Sequence, residues 1–148
     1  MYTFFKFFHL VAAIVWLGGM SFMLLALRPS LPAVEAPPQR LKLLVTVLRR
    51  FFAAVWAAIG VLLLSGVYMF GHADAQAAPL GWHLMSGIGL LMFLIFGHLY
   101  FSPYRRLQQA VAAADWPAAA GRAKTIARLV GVNFVLGWLA VAAIVFLV

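Results

Sequence analysis

The feature that most limits this chain is the placement of its few charges. Four segments, about residues 3–27, 50–71, 80–101 and 127–148, are almost continuously apolar, and all three carboxylates (Glu35, Asp74 and Asp115) fall between them. About 20 mostly apolar residues in a helix cross the hydrocarbon core of a bilayer. In lipid the backbone must satisfy its own hydrogen bonds, which a helix does within one segment. Composition agrees: the chain is 66% hydrophobic and 9% charged, against about half and a quarter for a soluble domain. The expectation is an all-α, integral membrane four-helix bundle, up-down-up-down, forming one domain over residues 1–148. The first segment runs apolar through Leu27. That is too long for a signal-peptide core and lacks a clear small-x-small cleavage site, so it reads as a retained span.

The basic residues divide unequally. Arg28, Arg40, Lys42, Arg49 and Arg50 lie between or at the edges of spans 1 and 2, and Arg105, Arg106, Arg122, Lys124 and Arg128 between or at the edges of spans 3 and 4; only Lys6 lies on the other side. GHADAQAAPLGWH, between spans 2 and 3, holds no lysine or arginine. The positive-inside rule then puts both termini on the non-cytoplasmic side of a bacterial inner membrane. It also explains the basic pI without a nucleic-acid partner. The lipid bilayer is the surrounding medium, and small residues such as Gly18, Gly19, Ser65 and Gly66 would let helices approach closely, within one chain or in a homo-oligomer. Pro29 and Pro103 follow spans 1 and 3, where helices commonly end. QRLKLLVTVLRR reads as a helical extension of span 2, and Asp115 with Pro117 as a helix start ahead of span 4.

Chemistry is sparse. There is no cysteine, which excludes disulfides, thiolate metal sites, c-type haem attachment and iron–sulfur clusters. No phosphate loop, nucleophile elbow or zinc-protease motif occurs, so any catalysis would belong to a bound cofactor, and whether the chain is an enzyme stays open.

That leaves four histidines. Ionisable residues inside a span are rare and commonly mark function. His9 lies about 9 Å into span 1 at 1.5 Å per residue. His83 lies about one turn into span 3 from the same side, and His72 closes span 2 there. His98 lies about one turn from the cytoplasmic end of span 3. His83 and His98 share nearly one helix face but stand about 22 Å apart, so they cannot serve one ion or one haem. The plainer reading makes each an interfacial or hydrogen-bonding group, with Asn133 a partner for His98. The sharper reading makes His9 and His83 the axial ligands of a haem b, with Lys6 near its propionates and aromatics such as Trp16 and Trp82 flanking it. A second haem, or the helix 4 contact, would then account for His98. The competing metal is copper, held by His9, His72 and His83. Met20, Met23, Met69 and Met85 could line a copper path, although packing is the commoner use of methionine.

Local motifs bear a resemblance. FHLVAAIVWLGGMSFMLLALRPSL resembles the first helix of the copper-resistance D (CopD) domain, with a histidine, a Trp-x-Gly-Gly run and an Arg/Pro exit. RRFFAAVWAAIGVLLLSGVYM is similar to that family's next helix. The chain also resembles the related HemJ-like membrane protoporphyrinogen oxidases, which carry haem b. GWHLMSGIGLLMFLIFGHLYFSPYRRL matches their third helix, with a histidine at each end, and LVGVNFVLGWLAVAAIVFLV their last, with Asn133. The resemblance implies functional roles for His9, His83 and His98. The HemJ pattern has a lysine two residues after its first helix 3 histidine, where this chain has Met85. The CopD resemblance implies copper handling, often beside a periplasmic copper-binding partner.

Together these expectations favour a small haem b-binding membrane protein acting in electron transfer or redox chemistry, with a quinone, a porphyrin or a redox protein as partner. The alternatives are copper transport or resistance through the outer histidines, and a structural subunit without cofactor.

Overall fold

The computed structural model describes residues 1–73 and 78–148; Asp74 therefore lies outside the described residues. Four helices long and apolar enough to cross a membrane make up the chain: α1 (Tyr2–Ala33), α2 (Pro37–Gly71), α3 (Leu80–Ala112) and α4 (Trp116–Phe146). They alternate in direction. One end of the bundle holds both termini; the other holds the α1–α2 and α3–α4 connections with ten of the eleven basic residues. These are called here the terminal end and the basic end. This is a multi-pass membrane protein.

Every helix is longer than a bilayer requires, and the excess projects at the basic end. Pro29 and Pro103 do not end their helices. A π-helical turn at Met23–Leu27 precedes Pro29, and another at Tyr100–Tyr104 contains Pro103. A π turn widens the backbone by one residue per loop, so the missing proline N–H and the clash of its ring are absorbed and the helix continues. Asp115 caps α4, its Oδ1 accepting from the Ala118 N–H at 3.2 Å. That cap, with Pro117 in the first turn, starts α4 about 10 residues before the span edge at 127.

The helices associate as two antiparallel pairs, α1 with α2 and α3 with α4. The core that joins the pairs lies toward the basic end. Phe52 of α2 sits at its centre, only 1% exposed, with its ring 4.8 Å from Tyr104 and 5.4 Å from Phe96, both edge-on. Trp16 of α1 stacks on Phe93 at 5.6 Å, and Leu48, Leu107 and Ala119 are fully buried beyond them. At the terminal end α3 and α4 approach each other closely. The Gly81 N–H donates to the Leu147 carbonyl at 3.1 Å, and a Cβ at Gly81 would collide with the Ala143 carbonyl oxygen.

Asn133 of α4 is 1% exposed, and its Nδ2 donates to the Met92 carbonyl at 3.1 Å. The expected His98–Asn133 contact is therefore absent, and the reason is register. The alignment that sets Gly81 beside Leu147 sets Met92 beside Asn133. His98 lies six residues further along α3, about 9 Å toward the basic end, and its side chain is exposed. Asn133 Oδ1 is buried with no partner among the described residues.

Candidate functional site

Between the two helix pairs, in the terminal half, lies a cavity of about 430 Å³. It exists because the α3 sequence supplies little bulk there. Between Gly81 and Met92 no α3 residue is buried, and two small residues, Ser86 and Gly89, line the cavity there. The floor is closed at Gly137 of α4, where the Leu17 side chain and the thioether methyls of Met92 and Met20 converge; a Cβ there would meet them at 2.9, 3.4 and 3.8 Å. The cavity opens sideways between α2 and α3, past Leu63, Val67 and Leu90, which are 42%, 74% and 56% exposed. Residues of this kind at this depth face hydrocarbon.

The wall is almost wholly apolar. His9 supplies the one imidazole that lines it, Ser86 a hydroxyl, and Met85 and Met92 two thioethers. The orientation of His9 follows from Ser65 on α2, which is 2% exposed. The Ser65 hydroxyl donates to the Val61 carbonyl at 2.6 Å, the usual back-bond of a serine within a helix. Having one proton, it must then accept from His9, whose Nδ1 lies 2.8 Å from Oγ. With Ser65 donating to Val61, the bond favours the Nδ1–H tautomer, and Nε2 has no hydrogen-bond partner among the described residues, the arrangement by which a hydrogen-bonded imidazole is prepared as a ligand. Gly66 gives the ring room: a Cβ there would lie 3.8 Å from His9 Cε1.

One turn nearer the terminal end, Phe5 stacks on Tyr68 at 3.9 Å, and Tyr68 on His72 at 4.0 Å. His72 is exposed, donates from Nδ1 to the Tyr68 carbonyl at 2.9 Å and does not line the cavity. His83 is exposed and does not line the cavity. Its neighbour is Phe70, 6.1 Å between ring centres, and Phe70 is itself a wall residue. His98 is far from this site, near the basic end. The structure thus brings His9 to the cavity and leaves His72, His83 and His98 outside its lining. Among the described residues no three His, Cys, Asp or Glu side chains gather as a metal-holding group.

Ser65 and Met92 went unassigned by sequence reasoning, which saw in Ser65 a small packing residue. A signal was available. Ser65 lies six residues from the terminal end of α2 and His9 seven from that of α1, so the two groups share one depth.

Comparison with known proteins sharpens the reading. The family model described as copper resistance protein D matches residues 45–147, which includes Ser65, Met85, Met92 and Asn133 but begins after α1 and His9. No curated protein and no solved structure matches the chain. The match covers more than two thirds of the sequence and falls on membrane-spanning helices, and on it the chain belongs to the copper resistance protein D family.

Proposed function

We propose that this protein handles copper within the membrane, taking the ion as Cu(I) into the terminal-half cavity at His9. The observation that carries the reading is His9, held through Nδ1 by Ser65 and lining a cavity whose other metal-philic groups are the thioethers of Met85 and Met92. No carboxylate lines that cavity among the described residues. Imidazole with thioether is a soft set, matched to Cu(I); harder divalent ions call for oxygen ligands. Met85 and Met92 lie seven residues apart on α3, about 10 Å along the axis. The ion would therefore meet them in turn, Met85 toward the terminal end and Met92 on the floor. In the orientation that the charge distribution favours, the terminal half and its cavity lie on the side away from the cytoplasm of a bacterial inner membrane.

Haem b fits these residues less well. A macrocycle needs axial donors on its faces and polar or cationic groups for two propionates. The cavity offers one imidazole, and no lysine or arginine lines it among the described residues. His83, the other expected axial ligand, does not line the cavity; its ring lies 6.1 Å from that of the wall residue Phe70. Redox chemistry with a quinone or a porphyrin has no residue here to carry it beyond His9.

The test is Cu(I) binding by protein purified in mild detergent under reducing conditions, read by competition with a chromophoric Cu(I) chelator. One ion per chain is expected, with His9→Ala abolishing tight binding and Met92→Leu weakening it. Unchanged affinity in His9→Ala would overturn the assignment. A Soret band in the purified protein that is lost in His9→Ala would replace copper by haem.

A further inference from the structure

A second cavity, of about 310 Å³, lies at the basic end between α1, α2 and α4. Its chemistry differs from the first. The floor is apolar, with Met23, Leu27, Leu44 and Val130, and the rim carries Arg28, Arg40 and Lys124. No acidic side chain lines it among the described residues. Three cations at one mouth repel Cu(I), so this is not a second station for the ion of the first cavity. They attract an anion.

Depth and preorganisation narrow the class of anion. Counting about 20 residues of hydrocarbon-spanning helix from the terminal end of α4 reaches Ile126. On α4 the cavity is lined by residues between Ala123 and Val130, so it straddles the boundary between hydrocarbon and headgroups. Arg40 is already held in place: its Nε donates to the Val34 carbonyl at 2.9 Å and its Nη2 to the Glu35 carbonyl at 3.3 Å, leaving further guanidinium protons for a ligand. Those two carbonyls lie in the short connection after α1, so the cationic rim is tied to the fold. An apolar slot beneath a fixed guanidinium, at headgroup depth, matches an amphiphile with an acidic head. We propose that this cavity binds an anionic phospholipid of the adjoining leaflet, its phosphate on Arg28, Arg40 and Lys124 and part of an acyl chain on the apolar floor. Basic pockets between membrane helices recognise acidic lipid headgroups by this combination. The site is independent of the copper reading and stands or falls without it.

The test uses full-length protein in neutral detergent, titrated with phosphatidylglycerol or phosphatidylcholine and read by native mass spectrometry of retained lipid. Wild type should hold one phosphatidylglycerol in preference to phosphatidylcholine, and millimolar inorganic phosphate should not displace it. The exposed pair Arg28→Gln/Lys124→Gln should weaken binding about 30-fold, from the usual worth of a basic residue at an anionic surface. Arg105→Gln/Arg106→Gln, equally basic and outside the cavity, should stay within about twofold of wild type. Equal retention of both lipids by wild type, displacement by free phosphate, or an equal loss in the two double variants would each overturn the proposal.

Discussion

The basic half and the terminal half of this bundle are built from similar residues and packed differently. In the basic half Phe52, Phe96 and Tyr104 interlock, and Leu48, Leu99 and Leu107 are each at most 1% exposed. In the terminal half α3 buries nothing between Gly81 and Met92, and the two helix pairs stand apart around a cavity. In water such a gap between apolar helices would collapse. In lipid it need not, because hydrocarbon solvates leucine as well as another helix does, and association rests on close packing and interhelical hydrogen bonds. Rigidity can therefore be concentrated in one half while the other keeps room for a ligand.

The sharpest contrast comes from deleting a large side chain in each half. Phe52→Ala should cost about 3 kcal/mol or more, whereas Leu63→Ala, at the lipid-facing edge of the cavity, should cost well under about 1 kcal/mol. Denaturant titration of both variants measures the difference, and equal losses would show that the cavity half is as tightly coupled as the core. Next is Asn133, at the junction of the halves. Asn133→Asp places a carboxylate in a 1%-exposed site and should destabilise by about 2–3 kcal/mol. Asn133→Leu discards the unpartnered Oδ1 along with the Nδ2 bond and should stay within about 1 kcal/mol of wild type. Gly81→Ala, which drives a methyl group into the Ala143 carbonyl, should cost about 1–3 kcal/mol; Gly66→Ala, with ordinary contact to His9, should cost nothing and could gain about 0.5 kcal/mol of helix propensity. Small in stability and largest in specificity is Ser65→Ala. It should shift unfolding by about 0.6 kcal/mol yet weaken Cu(I) binding about tenfold or more by freeing the His9 ring. A variant that loses stability but keeps full affinity would reduce the Ser65–His9 bond to a structural contact.

Much of the architecture was legible because lipid imposes coarse rules. Length and apolarity located the four spans, and the copper-resistance D motifs pointed to the family that the chain belongs to. Helix ends were less legible. Proline read as a terminator at Pro29 and Pro103, and only the local backbone shows a π turn absorbing it. His9 stood out as an imidazole inside a span. Its partner did not, because serine in a membrane helix is chemically plausible as packing and becomes a hydrogen-bonding group only once a facing helix sets its depth. The His98–Asn133 pairing failed for the same reason. Proximity to one membrane surface is not register, and a six-residue offset along an antiparallel pair separates two groups beyond reach.

The sideways opening past Leu63, Val67 and Leu90 has one further consequence. If the cavity takes copper as proposed, acyl chains of the surrounding leaflet can enter it whenever it is empty, so the membrane itself would compete for the site. Affinity measured in detergent will then differ from affinity in a bilayer, and in bilayers it will vary with chain length and unsaturation. Lipid composition becomes a control on ligand occupancy that needs no second binding protein.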